Sequence, residues 1–244
     1  MGMGVRLHVN VDHVATLRNV RGTSYPDPVR AAAECVQAGA DGVTAHLRED
    51  RRHIRDDDVD RLRFALTLAR STFNLEMAAT DEMVAVALRV RPDVCTLVPE
   101  RRQERTTEGG LDVVGGGDAL SRRVEALASA GIKVSLFIAP DRAQVEGSRA
   151  LRAAQVELHT GEYAHGREGE LARLGGAAQH AAMLGLEVAA GHGLTVDNLP
   201  AIVTLPHVVE LNIGHAVVSD ALFVGLPAAV GAYRQAIERG LQRR

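Results

Sequence analysis

Short apolar runs, alternating or rich in β-branched residues, recur from one end of the chain to the other. They lie at residues 5–11, 42–47, 72–77, 94–98, 133–138, 155–159, 187–190 and 208–213. Each predicts a strand. The gaps between them carry helical spacing. Residues 28–38 have Asp27 as N-cap, Pro28 at the first helical position and Gly39 as the stop. Residues 58–70 place Val59, Leu62, Leu66 and Ala69 on one face, and residues 80–90 open with an acidic first turn that suits the helix dipole. Residues 120–130 and 171–184 end at Gly131 and Gly185, and a last helix over 217–241 is interrupted at Gly225 and Pro227. Strands alternating with helices imply βαβ units and a parallel sheet. Eight units in 244 residues predict a TIM (β/α)8 barrel. Nothing in the pattern breaks the chain, so residues 1–244 read as one domain. A doubly wound sheet would need a glycine-rich first turn, where this chain has Asn10-Val-Asp-His13.

In such a barrel chemistry sits at the C-terminal ends of the strands. Costly polar groups fall there repeatedly: Asn10, Asp12 and His13 on the first strand, His46 and Arg48 on the second, Glu76 on the third, and Glu100 after the fourth. Glu157 and His159 follow on the sixth, His192 after the seventh, and Glu210, Asn212 and His215 on the eighth. The N-terminal ends show no comparable cluster. Strand alternation puts Asn10 with Asp12, His46 with Arg48 and Glu157 with His159 on common faces. One such residue alone is more often a satisfied structural group, but seven strand ends of eight argue for an active site.

Several chemistries compete. A metal-dependent barrel hydrolase would want a His-x-His pair on strand one, which here is Asn10-x-Asp12, although His46, His192 and His215 remain able to collect an ion. A lysine Schiff base is nearly excluded. Of 28 basic residues, 27 are arginine, and the one lysine, Lys133, starts strand five on the wrong face. No nucleophile elbow is present. What remains is proton transfer by His and Glu, with Arg and backbone amides holding anions. Gly214-His215, before a helix, suits a phosphate cradle, with Gly191-His192-Gly193 as the neighbouring loop. Residues 48–53 form a second cationic patch and Arg21 a third candidate, which points to two phosphates or one doubly anionic substrate. The long glycine-punctuated loop over 99–117 reads as a lid or as an excursion packed on a neighbouring subunit.

Composition narrows the partners. Net charge is −3, with pI near 6.4, so no nucleic-acid footprint is expected. Aromatic residues are only 3%, too few for stacking platforms, and no apolar stretch is long enough for a membrane span. Two cysteines and no signal-peptide pattern make a reducing cytoplasm the default.

Several strings are specific enough to carry a resemblance. Asn10-Val-Asp-His-Val-Ala-Thr-Leu-Arg18, Ala45-His-Leu-Arg-Glu-Asp-Arg-Arg-His-Ile54, Asn74-Leu-Glu-Met77, Leu97-Val-Pro-Glu100, Thr106-Thr-Glu-Gly-Gly-Leu-Asp112, Glu157-Leu-His-Thr-Gly161, Ala190-Gly-His-Gly-Leu-Thr195 and Glu210-Leu-Asn-Ile-Gly-His215 resemble the pyridoxine 5′-phosphate synthase family, in order and at every strand end. The resemblance implies a barrel with extra helices. It also implies condensation of 3-amino-2-oxopropyl phosphate with 1-deoxy-D-xylulose 5-phosphate to pyridoxine 5′-phosphate, phosphate and water, without metal or organic cofactor. By the same resemblance His46 and Glu76 accept protons and His192 donates one. Asn10, Arg21, Gly193, Gly214 and His215 would hold the amino-ketone phosphate. Asp12, His13, Arg48, His53 and Thr106 would hold the deoxyxylulose phosphate. The family assembles as a homo-octamer. Glu157 stands at the site mouth without an assigned role. The rival class is a non-catalytic phosphate-ligand sensor, which would keep the anion sites but leave His46 and Glu76 without purpose.

Overall fold

The computed structural model describes residues 4–106 and 109–244. In chain order the elements are β1 (Arg6–Asn10), α1 (Asp12–Arg21), α2 (Pro28–Gln37), β2 (Gly42–His46), α3 (Asp56–Ala69), β3 (Thr72–Ala78), α4 (Asp81–Val90), β4 (Val94–Val98), α5 (Gly117–Ser129), β5 (Lys133–Ile138), α6 (Arg142–Ala150), β6 (Gln155–His159), α7 (Gly161–Ala164), α8 (Glu170–Met183), β7 (Glu187–Gly191), α9 (Leu199–Val203), β8 (Val208–Ile213), α10 (His215–Val224) and α11 (Leu226–Leu241). The eight strands are all parallel and close into a barrel, with β8 pairing β1. This is the expected (β/α)8 architecture, with additional helices.

Strand alternation sorts the side chains into two environments. Leu7, Val9, Val43, Phe73, Leu75, Leu97, Leu136, Val156 and Leu211 point outward and are sealed beneath the helices, where the apolar core lies. The alternate set points into the barrel and is polar. TIM barrels ordinarily fill this space with branched aliphatics. Here a belt of hydrogen bonds crosses it. Thr96 Oγ1 donates to Asn74 Oδ1 at 2.8 Å, Asn74 Nδ2 to Thr44 Oγ1 at 3.4 Å, and Thr44 Oγ1 to Asn212 Oδ1 at 3.0 Å. Asn212 Nδ2 then donates to Glu157 Oε2 at 2.7 Å. The last link passes β7, which has Gly191 at that point. A Cβ there would lie 2.3 Å from Glu157 Oε1 and 2.9 Å from the Asn212 carbonyl oxygen.

The structure departs from the sequence reading in three places. Helix α1 begins directly at Asp12, after the single junction residue Val11, so the first strand does not run on to Asp12. Helices α6, α7 and α9 are also additions. The N-terminal ends of the strands do carry a polar cluster, and Glu210 belongs to it rather than to the site. Arg6 pairs Glu210 in register and holds its carboxylate at 2.9 Å. Arg6 also bonds Glu187, which accepts from Lys133 Nζ at 2.8 Å and Gln155 Nε2 at 3.2 Å. Alternation gives the face of a strand residue but not its depth along the barrel, and Glu210 lies three residues before the strand end. Lys133 sits at this far end, as expected.

The loop expected as a lid is only partly free to act as one. Its second half is pinned: Leu111 N–H donates to the Phe137 carbonyl at 2.8 Å and Val113 N–H to Gln144 Oε1 at 2.8 Å. Gly110 lies so close to β5 that a Cβ would sit 2.2 Å from the Ala139 nitrogen. Thr107 and Glu108, within the same expected lid, lie outside the described residues.

Candidate active site

A cavity of about 840 Å³ opens at the C-terminal end of the barrel. Of the residues singled out from the sequence, Asn10, Asp12, His13, His46, Arg48, Glu76, His192, Gly193, Gly214 and His215 line it, together with Glu100, Glu157 and His159. His53 stands behind His46, ring centroids 5.9 Å apart, with Nδ1 4.0 Å from Asp12 Oδ1. Thr106 lies on the loop whose Arg105 and Gly109 reach the cavity, and its buried hydroxyl has no partner among the described residues. Arg21 is not brought in. It is exposed at the end of α1 and does not line the cavity of its own chain.

The floor is built from β1, β2 and β3. His46 and Glu76 are register partners on adjacent strands. The short Asn10-Val-Asp12 corner turns back on itself: Asn10 Oδ1 accepts the Asp12 N–H at 2.8 Å, and Asn10 Nδ2 donates to Asp12 Oδ2 at 2.9 Å and Glu76 Oε2 at 3.4 Å. Asp12 Oδ1 accepts the His46 N–H at 2.8 Å, which fixes the end of β2. Starting a helix at Asp12 therefore does what a longer strand was expected to do, and brings Asn10 and Asp12 together.

Three carboxyls share this low-dielectric floor. Burial, with Glu157 and Asp12 nearby, pushes Glu76 well above the usual carboxylate range. Burial and Glu210 push Glu157 up to about 8. Burial raises Asp12 to about 6, against the pull of His46. The imidazoles move the other way: burial and His46 lower His53 to about 4, burial and His192 lower His159 to about 4, and burial lowers His192. The site thus sets carboxyls with a strengthened grip on protons beside imidazoles with a weakened one, the arrangement acid–base chemistry needs.

The start of α10 lies beside β1 at the same cavity, with the His13 and His215 ring centroids 4.9 Å apart. Helix α10 starts at His215, with Gly214 before it. A Cβ on Gly214 would lie 2.9 Å from Asn10 Cβ, so glycine is required by a close approach. His192 has φ of +87°, a conformation strained for a residue with a side chain. Thr160, fully buried, holds it there. Its hydroxyl lies 2.7 Å from the Gly191 carbonyl oxygen and 2.6 Å from that of His192, and shares one proton between them. Thr160→Val keeps the shape and removes the bond. It is expected to lower kcat by roughly 10-fold, the worth of one buried hydrogen bond, with Thr160→Ser close to the parent. Equal rates for Val and Thr at this position would dismiss the role.

Asp12, His46 and His53 bring ligand atoms within 4.8 Å of one another, a different trio from the histidines considered above. Several of their polar atoms are already engaged. Both Asp12 oxygens accept hydrogen bonds, His46 Nε2 bonds Glu100, and His53 Nδ1 accepts the Ile54 N–H at 2.9 Å. The donor set therefore fits a metal poorly.

Solved structures with this fold include thiamine phosphate pyrophosphorylase from Pyrococcus furiosus, at TM-score 0.64 and 15% identity over 97% of both chains, a likeness of fold alone. The sequence comparisons decide more. Residues 7–239 match the family model described as pyridoxal phosphate biosynthesis protein PdxJ. The chain belongs to the PdxJ family. Among its relatives, the pyridoxine 5′-phosphate synthase of Rhodospirillum rubrum is 53% identical, covering 99% of this chain and 98% of its own. That of Gluconobacter oxydans is 58% identical, covering 93% and 96%. As a PdxJ protein this chain is an enzyme of pyridoxal phosphate biosynthesis. Sequence reasoning missed Arg105, which lines the PdxJ cavity, and Thr160, which bonds the backbone at His192. Arg105 was hidden in a loop read as a lid or as an excursion packed on a neighbouring subunit. Thr160 acts through backbone carbonyls, which no spacing rule reveals.

Proposed function

We propose that this chain condenses 3-amino-2-oxopropyl phosphate with 1-deoxy-D-xylulose 5-phosphate, giving pyridoxine 5′-phosphate, inorganic phosphate and water. It would act as one catalytic barrel over residues 1–244, without metal or organic cofactor. The observation that supports the reading most is the pairing of His46 with Glu76 beside buried carboxyls, in a cavity that also presents Arg48, His13, His215 and the Gly214 turn before α10. The amine of one substrate makes its own imine with the ketone of the other, so the reaction needs no enzyme lysine.

In this reading His46 and Glu76 take protons from carbon and nitrogen as the imine rearranges. His192, whose burial weakens its hold on a proton, supplies one to a departing oxygen. Gly193, Gly214, His215 and Asn10 hold the amino-ketone phosphate at the start of α10. Asp12, His13, Arg48, His53 and Thr106 hold the deoxyxylulose phosphate. Arg21 gains no support for the phosphate role from the geometry of one protomer. The assembly is a homo-octamer in this reading. The exposed Leu222, Phe223 and Val224 at the end of α10, and Val20 on α1, supply apolar surface for contact between copies. No helix among the described residues is long and apolar enough to cross a membrane, and the cytoplasm is the proposed location.

The test mixes the two substrates with enzyme and follows phosphate release and pyridoxine 5′-phosphate together, with and without a chelator. Both products should form in equal amounts, and chelation should leave the rate unchanged. Binding of both substrates without product would favour a sensor. A loss on chelation that one divalent ion restores would overturn the metal-free reading.

A further inference from the structure

We propose that Glu100 is a positioning residue that holds the His46 imidazole in the tautomer with hydrogen on Nε2, and ties that ring to the loop carrying Arg48. The inference rests on the part in proton transfer proposed for His46. Glu100 follows β4, and its side chain is only 4% exposed. Its Oε1 lies 2.9 Å from His46 Nε2. Its Oε2 accepts the Glu49 N–H at 3.1 Å and lies 3.9 Å from Arg48 Nη2. The turn that presents it is itself fixed, because the N–H groups of Glu100 and Arg101 both donate to Glu104 Oε2 at 3.0 Å.

Burial works to raise the Glu100 carboxyl, but the bond and charge of His46, the Glu49 amide and Arg48 outweigh it and leave it below the usual range. An ionised carboxylate only accepts hydrogen bonds, so the imidazole nitrogen facing it must carry the hydrogen. In the neutral ring the lone pair is then on Nδ1. No hydrogen bond among the described residues engages Nδ1, so it is the nitrogen left to take a proton from substrate. The His46 backbone is held separately by Asp12, which leaves rotation of the ring as the freedom that Glu100 removes. A base oriented by a third group is the logic that activates catalytic histidines generally. Here the same carboxylate also grips residue 49, so the base and the phosphate-binding arginine are set by one anchor.

The experiment has two parts. In the first, wild-type enzyme labelled with 15N-histidine is studied by NMR, with His46→Asn identifying the His46 signals. The neutral ring is expected to carry its hydrogen on Nε2, and Glu100→Gln, whose amide both donates and accepts, is expected to mix the tautomers. In the second, Glu100→Gln is expected to lower kcat by roughly 10–100-fold and to change KM for the amino-ketone phosphate by less than about 3-fold, since none of the residues proposed to hold that substrate bonds Glu100. Hydrogen on Nδ1 in the wild type, or a folded Glu100→Gln enzyme with parental kcat, would overturn the inference. The wild-type spectrum needs no variant at position 100, so it decides even if Glu100→Gln fails to fold. If His46→Asn itself keeps parental turnover, the proton-transfer reading of His46 fails instead.

Discussion

Replacing His46 by Asn, or Glu76 by Gln, is expected to lower kcat by about 10²–10⁴-fold, the reach of a positioned acid or base. Glu76→Gln keeps the size of the side chain, His46→Asn leaves a smaller polar one, and both remove its titration. Neither should unfold the protein. Glu76→Gln withdraws a carboxyl from a floor it shares with Asp12 and Glu157, so its melting temperature should match or exceed that of the parent. His46→Asn leaves the backbone N–H of residue 46 free to keep its bond to Asp12. The measurement is kcat with both substrates saturating, alongside thermal melting. A folded variant within a few-fold of the parent would remove that residue from the catalytic set.

The second expectation separates the two anion sites. A bulky residue at Gly214 must displace Asn10, whose Cβ stands 2.9 Å from the position of the added Cβ. It should therefore weaken chiefly the amino-ketone phosphate. Arg48→Lys should weaken chiefly the deoxyxylulose phosphate. The Arg48 guanidinium lies 3.4 Å from Asp50 and 3.9 Å from Glu100, a two-point placement that presents a fork to a phosphate, and a lysine keeps the charge without the fork. Each change should raise the apparent KM of its own substrate by roughly 10–100-fold, the worth of a hydrogen bond to a charged group, and spare the other. The division into two sites fails if both variants impair the same substrate.

All eight strands were legible in the sequence to within about two residues, because each is an apolar run bounded by glycine or polar residues. The helices were read less evenly. Helix α1 follows β1 with only Val11 between, and no glycine or proline marks the change. Helix α6 has few apolar residues and a glycine at position 147, so its periodicity is faint, although Asp141 does cap it as sequence rules would suggest. In the site, strand-borne groups such as His46, Glu76 and Glu157 were legible because a parallel barrel fixes which end of a strand is functional. Glu210 was misplaced by the same reasoning, since alternation does not encode depth. His53 lies seven residues beyond His46, yet the loop folds back and sets the rings edge to face. Loop closure of that kind leaves no periodic trace. Arg21 shows the converse, a residue carried over by resemblance that one chain alone does not bring to its cavity.

The hydrogen-bonded belt inside the barrel has a consequence for how this enzyme can change over time. Thr44, Asn74, Thr96, Glu157 and Asn212 contribute little apolar burial, so the cohesion of the molecule resides in the annulus between strands and helices. Heat tolerance and turnover are then governed by different sets of residues. Substitutions in the annulus can harden the molecule without reaching the substrates. An aliphatic residue in the belt would gain cohesion and lose the chemistry. Selection for a hotter habitat can act on one shell while the other stays as it is.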